Sequence, residues 1–150
     1  ALDVTIQAQI LELMDGLVKK GGMSILLITH DLGIVANHAD KVAVMYAGEI
    51  VEEALTRDLF ASPKHPYTKG LIASIPSLKK KGQKYLKAIP GVVPNLARLP
   101  QGCRFQERCE RKTDACCAGR ISLTCEGERC WRCVNAYEHT STRAHERTKE

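Results

Sequence analysis

Ser24-Ile25-Leu26-Leu27-Ile28-Thr29-His30-Asp31 is a short run of branched apolar residues closed by two polar ones. A continuous apolar stretch of this length, as opposed to an alternating one, reads as a strand buried on both faces, of the kind found in a parallel sheet covered by helices. Upstream of it, Ile10, Leu11, Met14, Leu17 and Val18 recur at helical spacing. Asp3 is placed to cap that helix, because a short side-chain acceptor satisfies a free N–H of the first turn. Lys19-Lys20 and Gly21-Gly22 suit its end. Downstream, residues 32–38 read as a short helix and 41–46 as a second strand, and Ala47-Gly48-Glu49 turns the chain into a third strand at 50–53, forming a hairpin. Helix, buried strand, helix, strand is the pattern of an α/β layer. Ligands of open α/β sheets bind outside the carboxyl ends of the strands, which is where His30 falls. A cap or a packed polar residue is the other reading of a lone histidine there.

Residues 56–61 and 66–74 read as two short helices. Pro63-Lys64-His65-Pro66-Tyr67 is a stiff approach to the second, since a residue before proline avoids the helical region. Its His and Tyr read as packing residues more than as ligands. Prolines at 76, 90, 94 and 100, with Lys79-Lys80-Lys81, predict a largely extended linker over 75–100.

With 150 residues, 44% of them hydrophobic and 26% charged, the chain fits one ordinary domain or a small domain with an appended module. No apolar run reaches 18 residues, which excludes a membrane-spanning helix. A charge of +5, from 22 Lys and Arg against 17 Asp and Glu, is compatible with nucleic acid, an anionic membrane surface or nucleotide phosphates, and selects none of them. Aromatics make up 5% and do not interleave with the basic residues, which weighs against a single-stranded nucleic-acid platform. The chain starts at Ala1 with no basic, apolar leader, and is expected to be a piece of a longer protein.

All seven cysteines lie between Cys103 and Cys133. An odd count without a leader argues against a secreted disulfide framework, and clustering in a reducing compartment argues for a metal. Four thiolates make a tetrahedral zinc site or hold a cubane cluster. Zinc favours tight CxxC pairs, which only Cys130-x2-Cys133 supplies, whereas the wider Cys103-x5-Cys109-x6-Cys116 suits a cluster whose irons lie apart. Iron–sulfur, zinc and no metal all stay open on spacing alone.

Ala1-Leu2-Asp3 and Ile28-Thr29-His30-Asp31 carry a first likeness, with Asp3 and His30 separated by one helix and one apolar run. Met45-Tyr46-Ala47-Gly48-Glu49-Ile50-Val51-Glu52, Leu59-Phe60 and Pro63-Lys64-His65-Pro66-Tyr67-Thr68-Lys69-Gly70-Leu71 carry more of it. Ile89-Pro90-Gly91-Val92-Val93-Pro94, Pro100-Gln101-Gly102-Cys103-Arg104-Phe105 and Arg108-Cys109 complete the set. Together they resemble the ATP-binding subunits of ABC transporters, in the oligopeptide/dipeptide importer branch. The resemblance covers nearly the whole chain and weakens after Cys117. It implies an α/β fold in which residues 1–62 are the C-terminal part of a P-loop ABC-type nucleotide-binding domain. Residues 63–137 would then be a small, irregular cysteine-rich module, and 138–150 a disordered tail. In that family the Walker A loop, Q-loop, signature motif and Walker B strand precede the D-loop; none is present here, so this chain alone is expected not to hydrolyse ATP.

For the intact subunit the resemblance implies ATP and Mg²⁺. It makes His30 the switch histidine that contacts the γ-phosphate and orients the attacking water, a role for a ring that both donates and accepts. Asp3 becomes a D-loop residue near nucleotide at the interface of two ATPase subunits. The resemblance also implies a [4Fe-4S] cluster with Cys103, Cys109 and Cys116 as ligands. Cys133 matches the fourth position best, Cys125 and Cys130 are also available, and zinc is the alternative metal. Implied partners are a second, homologous or identical ATPase subunit, two transmembrane permease subunits and, indirectly, an extracytoplasmic solute-binding protein, with no nucleic acid. The place implied is the cytoplasmic face of a prokaryotic membrane, and the cargo peptides or a related solute such as nickel. A metal- or cluster-bearing nucleic-acid-binding module is the other functional reading, prompted by the basic charge and the CxxC pair. It needs a recognition surface, and the basic residues fall mainly in linker and tail.

Overall fold

A computed structural model describes residues 4–75 and 88–137; Asp3, much of the expected linker and the expected tail 138–150 lie outside the described residues. At its centre is the hairpin of β1 (Lys41–Tyr46) and β2 (Glu49–Leu55). Alternation along β1 puts Val42, Val44 and Tyr46 inside and Lys41, Ala43 and Met45 outside. The connection is two residues long, and both Ala47 and Gly48 have positive φ (47° and 79°), the backbone that matches the natural twist of a hairpin. Glycine adopts this freely; Ala47 does not, and its carbonyl is held by the Arg104 guanidinium.

The pairing runs Met45 with Ile50 and then Val44 with Glu52, so Val51 is an extra residue in β2. This bulge turns two successive side chains, Val51 and Glu52, inward. Two further strands come from the cysteine-rich region. β3 (Thr124–Glu126) pairs with β4 (Arg129–Trp131), and β4 pairs with β2 through Glu52–Trp131 and Glu53–Cys130. The sheet order is β1-β2-β4-β3, antiparallel throughout. β3 and β4 were not expected from sequence, because three residues give too little alternation to read.

Helix α1 spans Val4–Gly21, α2 Leu32–His38, α3 Thr56–Ala61 and α4 Pro66–Ala73, matching the four helices expected. α4 begins on His65, whose Nδ1 accepts the Tyr67 N–H at 3.1 Å, with Pro66 in the first turn where no N–H is needed. Val42, Val44, Tyr46, Val51, Ala54, Leu59 and Phe105 form the core. Phe105 stands edge-on to Tyr46 at 5.2 Å and tilted against Tyr67 at 5.3 Å. The cysteine-rich region is thereby anchored in the same core as the hairpin.

The apolar run 24–29 corrects the sequence reading. It is not a strand, and Leu26 and Ile28 are each 89% exposed. A strand buried on both faces needs a neighbour along its edge and cover above and below; among the described residues no strand pairs with it. The apolar side of α1 is likewise uncovered at Ile10, Leu13 and Leu17, and α1 is tied to α2 by Asp15 Oδ2 and His38 Nδ1, 2.8 Å apart. The expected parallel α/β layer is therefore replaced here by helices around an antiparallel sheet. Residues 88–100 form neither helix nor strand, as a linker would. Arg108 fixes their start by donating to the carbonyls of Pro90 (2.8 Å) and Ile89 (3.1 Å).

Candidate functional site

Four thiols converge beside the hairpin: Cys103, Cys109, Cys116 and Cys133. Backbone geometry brings the first three together. Gly102 has φ +87°, and a Cβ there would fall 2.2 Å from the Cys116 carbonyl oxygen, so only glycine allows the two segments to touch. The Cys103 N–H then donates to that carbonyl at 2.9 Å. Short 3₁₀ turns at Gln106–Arg108 and Asp114–Cys116 fold the intervening chain back on itself. The end of the module is drawn in by Asn135, which donates to Arg111 O (3.0 Å) and Thr113 Oγ1 (2.9 Å). Tyr137 lies between the Lys69 ammonium and the Arg111 guanidinium, 3.7 and 4.2 Å from its ring centre.

Burial pushes the Cys103 and Cys109 thiols above the ordinary range and takes Cys133 up to about 11. Ionised neighbours push the same way: Cys109 and Cys116 act on Cys103, Cys116 acts on Cys109, and all three act on Cys133. Cys103, Cys109 and Cys133 are therefore each within electrostatic reach of at least one other thiol of the set. Opposing this, the backbone N–H groups of Phe105, Arg111 and Asn135 favour the thiolate forms of Cys103, Cys109 and Cys133, in each case from two residues further on. A repeated N–H toward sulfur is the outer-shell arrangement that orients and tunes thiolate ligands. The donor chemistry fits a thiophilic metal or cluster. The sulfurs converge without closing into a coordination sphere, since no group of three or more His, Cys, Asp or Glu side chains stands in metal-ligating geometry among the described residues.

The remaining cysteines are otherwise engaged. The thiol of Cys117 donates to Gln106 Oε1 at 2.7 Å. Cys125 and Cys130 are joined as a disulfide across β3 and β4, a single pairing that the sequence reading did not anticipate. Seven residues gave only an odd count, and the count could not reveal two cysteines opposite each other on a hairpin.

Sequence reasoning missed Glu52. Its fully buried carboxylate accepts the N–H groups of Lys64 (2.7 Å) and His65 (2.8 Å) and pairs with Arg129 Nη2 at 3.2 Å. Glu49, Glu52 and Glu53 look alike in sequence, and only the bulge distinguishes the one turned inward. Near it, Arg132 donates to Ile50 O (3.1 Å) and Ile121 O (2.6 Å). These contacts, with the β2–β4 pairing, bind the cysteine-rich region to the hairpin.

His30 sits elsewhere, exposed at the end of the apolar run. Asp31 accepts from Gly33 N–H (2.8 Å) and Ile34 N–H (3.3 Å), and so caps α2 directly beyond it. Capping is done by Asp31, and the His30 ring has no hydrogen-bond partner among the described residues. No hydrogen bond or ion pair joins His30 to the thiol cluster.

The family described as "Oligopeptide/dipeptide transporter, C-terminal region" matches residues 51–116, a span that holds Glu52, His65, Gly102 and the first three thiols. An oligopeptide transport ATP-binding protein of Bacillus subtilis, AppD, is 55% identical over 123 residues, 82% of this chain and 37% of that protein. The chain is similar to the ATP-binding proteins of oligopeptide and dipeptide transporters. A putative peptide import ATP-binding protein of Brucella ovis is 49% identical over 142 residues, covering 88% of this chain and 42% of the relative. The dipeptide transport ATP-binding protein DppD of Haemophilus influenzae is 51% identical over 116 residues, 77% of this chain and 35% of the relative. The chain spans well under half the length of these curated relatives. Their names speak of oligopeptide, dipeptide and peptide transport, and lend no support to nickel or to a nucleic-acid-binding module.

Proposed function

We propose that this chain is the C-terminal part of the ATP-binding subunit of a peptide-importing ABC transporter. The observation that carries the reading is the 55% identity to an oligopeptide transport ATP-binding protein, together with the family match over 51–116. Residues 1–62 would contribute to the nucleotide-binding domain and 63–137 to the module that follows it. The exposed run 24–29 and the bare side of α1 support this, as surfaces that the rest of such a subunit would cover. The partners are then a second ATPase subunit, two permease subunits and, through them, a solute-binding protein. The place is the cytoplasmic side of a bacterial membrane, and no helix among the described residues is long and apolar enough to cross one.

In this reading ATP with Mg²⁺ binds the complete subunit. His30, exposed and without a hydrogen-bond partner among the described residues, would contact the γ-phosphate and orient the attacking water, and Asp3, outside the described residues, would act at the interface with the second ATPase subunit. In the complete subunit with its permeases, His30→Ala should lower ATP turnover by about 100-fold or more, the scale of a lost general acid–base group, and leave ATP affinity nearly unchanged. An equal loss of affinity would make His30 a structural residue instead.

Cys103, Cys109, Cys116 and Cys133 hold a metal centre, a [4Fe-4S] cluster in first place and zinc in second. A cluster would supply a cross-link and one-electron redox capacity, and zinc the cross-link alone. Supporting this are the thiophilic donor set, the electrostatic influence of these thiols on one another, and the backbone N–H groups that favour the thiolate at three of them. Anaerobic purification with iron, sulfide and zinc analysis tests it. About four irons and four sulfides per chain are expected; one zinc would select the second metal, and neither would end the metal reading.

A further inference from the structure

Cys125 and Cys130 lie outside the four-thiol cluster, and nothing in the transport reading uses them. They are directly paired in register across β3 and β4, with Cα atoms 4.0 Å apart, and they form the one disulfide among the described residues while the other five cysteines are free. The turn between the strands is Gly127-Glu128, with Gly127 at φ +59°. Cys125 is exposed, so a small reagent reaches the sulfur pair from solvent. We propose that Cys125 and Cys130 are a reversible dithiol–disulfide site, exchanging with low-molecular-weight thiols, that sets how firmly the β3–β4 edge is held to the sheet.

The exchange balances without any other reactant. The Cys125 thiolate attacks one sulfur of a small disulfide, forming a mixed disulfide and expelling one thiolate. The Cys130 thiolate then attacks the Cys125 sulfur, closing the internal bond and expelling the second. Two electrons pass from the pair to the small disulfide, and the two protons of the protein thiols end on the two small thiols released. Reduction is the reverse, with two small thiols as reductant.

Local leverage comes from length. Each strand has three residues, and a two-stranded ribbon of that size is marginal without a further tie. The loop that the disulfide closes is short, so its effect is expected on this hairpin more than on global stability. β4 carries what matters to its neighbours. Cys130 pairs with Glu53, Arg129 reaches Glu52 and the Ser62 carbonyl, Trp131 is buried, and Cys133 of the thiol cluster follows three residues later. The proposal does not depend on what, if anything, the four-thiol cluster binds.

The test equilibrates the full chain in glutathione buffers from reducing to oxidising, quenches with acid, and identifies disulfides by differential alkylation and peptide mass spectrometry. Amide exchange is followed in parallel. A single two-electron transition confined to the peptide bearing Cys125 and Cys130 is expected, with exchange at residues 124–132 about tenfold or more faster after reduction and β1–β2 unchanged. Cys125→Ser should show the reduced pattern in every buffer; the wild-type redox series decides the matter should that variant fail to fold. The proposal is overturned by a disulfide from either residue to another cysteine, by a bond that resists every buffer, or by exchange that does not respond to redox state.

Discussion

At the scale of single residues, His65 shows how burial converts one side chain into a pH dependence. It is 1% exposed, caps α4 through Nδ1, and gives its N–H to buried Glu52. Burial lowers its pKa from 6.5 to about 4. Above pH 6.5 the ring is neutral in both folded and unfolded chains. Between 6.5 and 4 the unfolded chain takes up a proton that the folded one refuses, so stability falls as pH falls, by about 3 kcal/mol across that window. Urea unfolding at several pH values should show this slope, and His65→Asn, which keeps a capping acceptor but does not titrate, should lose nearly one proton's worth of it. An unchanged slope in the variant would place the titration elsewhere. The capping role itself was not legible: His65-Pro66-Tyr67 announced a rigid approach and a packing role, whereas the Glu52 contact depends on a bulge that no local pattern signals.

At the scale of elements, the hairpin β1–β2 was legible because it carries its own instructions, a clean alternation over Lys41–Tyr46 and a turn pair that accepts positive φ. Residues 24–29 were not, because a doubly buried strand is defined by its neighbours, and apolar character alone does not supply them. The thiol convergence stands between these cases. Its spacing suggested a centre, but the device that closes it is Gly102. Gly102→Ala should cost roughly 1–3 kcal/mol from the left-handed backbone alone. The clash with the Cys116 carbonyl should also part Cys103 from Cys116. Thermal unfolding reads the first effect, and a faster reaction of Cys103 with a thiol reagent reads the second; unchanged reactivity would mean the loop closes by other means.

At the scale of the molecule, the hairpin and the cysteine-rich region share a core through Phe105, which meets Tyr46, Tyr67 and the His65 ring. Phe105→Ala should destabilise the whole chain by about 3–5 kcal/mol in one cooperative transition seen by denaturant unfolding. Two separate transitions would show that the regions fold independently. The family resemblance implied a boundary between residues 62 and 63, and every cysteine lies beyond it. Yet β2 lies between β1 and β4, with strands from both sides of that line. A gene cut at this boundary would therefore yield a polypeptide with a raw sheet edge open to other chains. Its Glu52 charge would have lost the Lys64, His65 and Arg129 groups that cover it. Recombinant work on either half would meet insolubility before it met function.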